Sequence, residues 1–149
     1  MSYFAANAHC KRIGGKLVEI DSKEENAALV DEIDKRNFTG RRINFWMGLT
    51  DLEREGDWRL ASNGLEPQYE NWHEGQPNNG VGDHDQDCAR LRIGPISSWK
   101  DTWSDINCET VTLRNGNHPS FSMHALCEFD PAEGASFIRI PLNNSTNKS

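Results

Sequence analysis

Four cysteines, Cys10, Cys88, Cys108 and Cys127, constrain this chain of 149 residues more than any other feature. None of their spacings resembles the short C-x-x-C clusters of zinc or thiol redox sites, so two disulfides are the favoured reading, and with them an oxidising compartment. Four cysteines permit three pairings, and chain statistics do not choose among them. A nested pattern is favoured: Cys88 with Cys108 would pin the intervening segment at about 3 kcal/mol, and Cys10 with Cys127 would close most of the chain for somewhat more.

The segment from Trp72 to Cys108 is where scaffold-like periodicity stops. It holds Gln76-Pro77-Asn78-Asn79, then Asp83, Asp85, Gln86 and Asp87, and later Trp103-Ser104-Asp105. Oxygen donors without thiolates suit a hard cation such as calcium, and taken alone the stretch reads equally as a solvated acidic loop. A length of 149 residues suits one domain that buries about two-thirds of its unfolded surface. The net charge of −7 argues against nucleic acid and anionic membrane as partners. No apolar run is long enough to span a bilayer, and Met1-Ser2-Tyr3-Phe4 lacks the character of a signal peptide, so any export signal was removed or never included.

Ser2 is expected to cap a first helix through Phe4, Ala5, Ala8 and Cys10, with Gly14-Gly15 as its exit. Leu17 to Ile20 reads as a buried strand, and Ser22-Lys23-Glu24-Glu25 as a capping box that opens a second helix with Leu29, Val30 and Ile33 inward. Phe45 to Leu49 is a dense apolar strand in which Gly48 marks a close approach. Asp51 and Glu55 flank a short turn before a strand at Gly56 to Leu60, and Ser62-Asn63-Gly64 is a turn. The segment around Pro67, Tyr69, Asn71 and Trp72 has no period and reads as a long structured loop. Ala89 to Ile93 alternates as a half-buried strand that Gly94-Pro95 ends. Val111 to Leu113, an Asn115-Gly116 turn and Ser122 to Phe129 suggest a hairpin. Asn37 and the Asn143, Asn144 and Asn147 triplets match the glycosylation pattern.

In several of these motifs the chain resembles the C-type lectin-like domain, over roughly Ser2 to Phe129. The resemblance rests on Gly15-Lys16-Leu17-Val18-Glu19-Ile20, Trp46-Met47-Gly48-Leu49, Asn71-Trp72 with Gly75-Gln76-Pro77-Asn78, Trp103-Ser104-Asp105 and Cys127-Glu128-Phe129. It implies an α+β fold with two helices, small antiparallel sheets and a long loop region, and the disulfides Cys10–Cys127 and Cys88–Cys108. Residues 1–130 would form this domain, lacking the family's usual first strand, and 131–149 a C-terminal extension that is polar and disordered from about 143. The piece Phe137 to Leu142 is one candidate for that vacant edge, and truncation is the other.

The resemblance also implies a calcium and sugar site at Gln76, Asn78, Gln86, Ser104 and Asp105, with a cis bond between Gln76 and Pro77. Sugar hydroxyls would complete the calcium shell and hydrogen-bond the same side chains. At three of these positions the family's usual residue is replaced, by Gln76, Gln86 and Ser104. Only Asp105 keeps a charge, so calcium should bind weakly there or not at all. Asp85 or Asp83 is a candidate to replace the lost acid. A second calcium position transfers to Asp51, Glu55, Asn79, Gln86 and Asp87. Amides on both sides of Pro77 predict neither sugar class cleanly, with a slight tilt toward galactose-type over mannose-type ligands; His84 or Trp99 could offer a stacking face.

Scattered histidines without a helical zinc pair, and no serine-triad or phosphate-loop signature, argue for a binding module and against an enzyme. His73, His84 and Asp85 would need loop folding to hold zinc. The expectation is a calcium-dependent carbohydrate-binding module, secreted or an extracellular part of a larger protein, with glycans as partners and an oligomer or protein partner open. Its rival is a lectin-like fold that has lost sugar and recognises protein, mineral or ice through the long-loop surface. An insert around Leu113 to Phe121 reads first as a tolerated surface insertion.

Overall fold

A computed structural model of the chain describes residues 1–36, 43–79, 85–94, 101–110, 112–115, 118–130 and 137–139. Two helices, α1 (Tyr3–Arg12) and α2 (Lys23–Arg36), accompany nine strands: β1 (Lys16–Leu17), β2 (Ile43–Thr50), β3 (Arg59–Leu60), β4 (Cys88–Ile93), β5 (Trp103–Ile106), β6 (Thr112–Asn115), β7 (His118–Ala125), β8 (Cys127–Phe129) and β9 (Phe137–Arg139). The glycosylation triplets, Asp83, His84, Trp99, Gly116 and the residues from 140 onward lie outside the described residues.

Both helices begin where their side chains can satisfy the orphan N–H groups of a first turn. Ser2 Oγ accepts from Ala5 N at 3.2 Å. Ser22 Oγ accepts from Glu25 N, while Glu25 Oε1 reaches back to Asp21 N rather than to the cap residue itself. The inward face of α2 is as expected at Leu29, Val30 and Ile33, with Asn26 added to it. The inward face of α1 differs from expectation. Tyr3, Ala6 and Cys10 are buried and Phe4 is 46% exposed, because the helix is turned by the Cys10 disulfide and by Tyr3 packing edge-on against Trp46.

The larger sheet runs β5-β4-β2-β7-β6, with β3 paired to β2. Its pairings are antiparallel except β2 with β7, which are parallel through Asn44↔Met123 to Trp46↔Ala125. β2 lies at its centre and is buried on both faces, which explains its unbroken apolar run. Phe45, Met47 and Leu49 enter a core beneath α2 and the long loop, together with Leu91, Trp103 and Leu126. Trp46 enters a second core beneath α1, with Met123 and all four cysteines.

The disulfides are Cys10–Cys127 and Cys88–Cys108, the nested pairing. They lock α1 to β8 and the start of β4 to the segment after β5. The smaller sheet runs β1-β8-β9. Phe137–Arg139 pairs antiparallel with β8, so part of the C-terminal segment occupies that edge. The expected strand at Leu17 to Ile20 shortens to Lys16–Leu17. Val18 then leaves the ladder, donating to Leu126 O and accepting from Gly48 N at 2.8 Å each. A Cβ at Gly48 would lie 3.0 Å from Leu17 O, which is the close approach anticipated there.

Candidate functional site

The long loop is rooted by aromatic packing. Trp72 and Trp103 form an isolated bridge, with Trp103 N donating to Asn71 O at 2.9 Å and His73 N to Trp103 O at 2.8 Å. The rings of Trp58, Trp72, Trp103 and Tyr69 meet edge-on, with centroids 4.8 to 5.9 Å apart, the arrangement aromatic quadrupoles prefer. Beneath them Trp103 Nε1 donates to Asn26 Oδ1 at 3.0 Å, and Asn26 and Asn71 both donate to Asp101 O. The apolar rings and these amides hold the base of the loop on α2 and β5.

Beyond this base, Gly75 turns the chain at φ 84° and the Gln76–Pro77 peptide bond is cis. Asp105 organises the turn after the proline. Its carboxylate is 4% exposed and accepts from Asn78 N at 3.1 Å and from Asn79 N at 2.6 Å. Asn79, at φ 55°, accepts from Gln86 N through its Oδ1 at 3.1 Å, which joins the two limbs of the loop. Asn78, Asn79, Gln86 and Asp105 thus belong to one hydrogen-bonded assembly, which Gln76 adjoins only through the chain at Pro77. Gln76 Oε1 is buried with no hydrogen-bond partner among the described residues. Ser104 stands on the other side of β5 from Asp105, as successive strand residues do. It is 4% exposed, and its hydroxyl accepts from Arg90 Nε at 2.7 Å.

A second cluster lies where β2 ends and β4 begins. Asp51, Glu55 and Asp87 each offer an oxygen within 4.8 Å of the others. The main chain sets it up: Asp51 N donates to Asp87 O at 3.0 Å, and Gly56 N donates to Asp51 Oδ2 at 2.8 Å. Asp51 is 3% exposed, and Oδ1 of Asp51 and Oδ1 of Asp87 are buried without an N–H or hydroxyl partner among the described residues, the two carboxyls lying against each other. Burial raises the Asp51 carboxyl above the usual range, more than the Gly56 amide lowers it. Asp87 is pushed up to about 6 by burial first, then by Asp51, with Asp85 and Asp105 adding to it. Two buried carboxyls pressed together, each raised by the other's presence or by burial, are the electrostatic condition a hard cation relieves. The donors are all oxygens, which suits calcium. Asp85 itself is exposed and bears on Asp87.

The profile of the family described as Lectin C-type domain matches residues 1–113. The chain belongs to the C-type lectin domain family. A perlucin-like protein of Mytilus galloprovincialis is 39% identical over 105 residues, which cover 70% of this chain and 62% of that protein. The human scavenger receptor C-type lectin carbohydrate-recognition domain is 33% identical with a TM-score of 0.59, over 72% of this chain and 75% of that one. Human lithostathine shares the fold at a TM-score of 0.62 and 23% identity, over 86% of this chain and 76% of that one. The chain therefore spans less than two-thirds of the mussel relative's length.

In this C-type lectin domain, two features of the site escaped the reading of residues alone. Asn26 was legible in principle, since it falls in the same helical stripe as Leu29, Val30 and Ile33 at i, i+3, i+4 and i+7. Arg90 was not, because an arginine in an alternating strand reads as solvent-facing; only the fold places it beside Ser104 and Asn44.

Proposed function

We propose that this C-type lectin domain is a calcium-dependent carbohydrate-binding module of an extracellular protein. The observation that carries the reading is the Asp51, Glu55 and Asp87 cluster, which has two buried oxygens without a donor among the described residues and feels the charge of Asp105 in the adjoining loop. Calcium would be held there by these three carboxylates with Asn79 and Gln86, and when bound it supplies the positive charge that lets both buried carboxyls stay ionised. Its structural effect is to join the turn after β2 to the limb before β4.

Sugar would be bound by Gln76, Asn78, Gln86 and Asp105, whereas Ser104, expected with them from the sequence, faces Arg90 on the other side of β5. Their amide groups donate and accept at adjacent hydroxyls, and Gln76 tilts the preference toward galactose-type ligands. A second cation at Gln76, Asn78, Gln86 and Asp105, with Asp85 nearby, would be weaker, because Asp105 is its one transferred carboxylate and already accepts two backbone amides. The buried Oε1 of Gln76 supports a role as a ligand. Two disulfides suit an oxidising compartment.

A second reading, recognition of protein, mineral or ice by the same loop surface, draws on the same internal bonds. Asp105 is engaged by the main chain and Ser104 by Arg90, so both are satisfied without sugar. A glycan array run in calcium and again in chelator separates the two. Chelator-sensitive binding of galactose-type glycans is expected, and absence of all glycan binding by disulfide-intact protein would select the second reading.

A further inference from the structure

One face of the larger sheet carries a concentration of donors that neither calcium nor the long loop explains. Arg90 and Arg92 are two residues apart on β4, so they share a face. Across the ladders, Arg90 sits opposite Ser104 on β5 and Arg92 opposite Asn44 on β2. The Arg90 guanidinium is half-buried. It gives Nε–H to Ser104 Oγ at 2.7 Å and one Nη1–H to Asn44 Oδ1 at 3.4 Å, both neutral acceptors. Three of its five N–H groups have no acceptor among the described residues. No described carboxylate lies within 4.0 Å of it in an ion pair. Asn44 is 0% exposed and its Nδ2 has no partner among the described residues, although its own Oδ1 is bonded to the same guanidinium.

A half-buried cation beside an unsatisfied buried amide offers donors on both groups to an acceptor-rich anion. Burial brings the Arg90 guanidinium down to about 10, and the neighbouring Arg92 charge works in the same direction against a smaller opposing effect of Asp105. We propose that Arg90, with Arg92, Ser104 and Asn44 around it, forms a second ligand site, for a tetrahedral oxyanion, either a free ion or the sulfate group of a substituted sugar. The planar fork of arginine matches two oxygens of such a group at once. The anion meets the outer N–H groups of Arg90, and a small rotation of the Asn44 amide gives its Nδ2 an acceptor. The chain's net charge of −7 does not prevent this, because distant charges are screened beyond about 8 Å at physiological salt.

The test is a ¹⁵N NMR titration of the intact, disulfide-bonded chain with sodium sulfate, against sodium chloride at equal ionic strength. Galactose 6-sulfate and galactose form a second pair of arms. Saturable shifts at Arg90 Nε–H and the Asn44 amide are expected with sulfate and absent with chloride, and apparent affinity should fall at least tenfold in Arg90→Gln. Tighter binding of galactose 6-sulfate than of inorganic sulfate assigns the anion to a sugar; equal binding assigns a free ion. If galactose alone does not bind, the carbohydrate reading suffers while the sulfate arm still decides this site. Linear shifts that are the same in sulfate and chloride would overturn the proposal, as would shifts elsewhere that Arg90→Gln leaves unchanged. Should Arg90→Gln not fold, the wild-type shifts decide, and Arg92→Gln is expected to weaken them several-fold.

Discussion

Gly48 and Asp87 illustrate how single positions carry opposite kinds of constraint. At Gly48 the limit is steric: an added methyl meets Leu17 O at 3.0 Å and Glu19 Cγ at 3.1 Å, while Gly48 N is bonded to Val18 O. Gly48→Ala should therefore destabilise the domain by about 1–3 kcal/mol, as overpacking does, measured by chemical denaturation. At Asp87 the limit is electrostatic. Asp87→Asn removes a proposed calcium ligand and also removes repulsion with Asp51. Calcium affinity in isothermal titration should drop at least roughly tenfold, a change of about 1.4 kcal/mol. The same variant should melt higher than wild type in chelator and lower in calcium. A variant that melts lower in both would mean that the cluster is held by bonds other than those to a cation.

Between elements, the decisive joint is α2 to β5. Asn26 reaches from the inward stripe of the helix to Trp103 Nε1, and through Asp101 O it shares an acceptor with Asn71. Asn26→Leu keeps an apolar stripe but leaves a buried indole N–H unpaired, for an expected loss of about 1–3 kcal/mol. Amide exchange at Trp103 and His73 should accelerate more than exchange in β2, since those two amides close the base of the loop. Equal acceleration everywhere would mean that the joint is not local. A further joint is β8 with β9. Ending the chain after Asp130 removes the partner of Cys127 to Phe129, and a fall of a few degrees in Tm with both disulfides intact is expected.

For the molecule as a whole, the pH response is set by a buried carboxyl far along the chain from the loop. Glu128 accepts from Glu19 N at 2.7 Å in the smaller sheet. Burial first, opposed by the Glu19 amide and Lys16, raises it from near 4.5 to about 7. A carboxyl with a raised folded-state pKa takes up a proton on folding within that window. Its contribution is therefore most favourable below about 4.5 and is lost as pH rises through about 7. Wild-type protein in chelator should melt higher at pH 5.5 than at pH 8, and Glu128→Gln should reduce that difference. Asp87 has the same sign, so a residual difference is expected in the variant. An undiminished difference in Glu128→Gln would show that other groups set it.

What was legible in the chain alone came from local rules. Ser2 and Ser22 announced the helices through capping, Phe45 to Leu49 announced a dense apolar strand, and the family motifs carried the disulfide pairing and the place of the loop. The rotation of α1 that exposes Phe4, the parallel pairing of β2 with β7, and the use of Phe137–Arg139 as an edge strand were decided by tertiary structure. The same holds for the site. Residue type identified Asp51, Glu55 and Asp87 as oxygen donors, but whether their oxygens find N–H partners depends on main chain brought together from β2 and β4. Asp105, with the same chemistry, is satisfied by Asn78 and Asn79, and Asp51 and Asp87 each retain an oxygen with no donor among the described residues. Composition sets which atoms can ligate, and only the distances between chain segments set which of them still need a ligand.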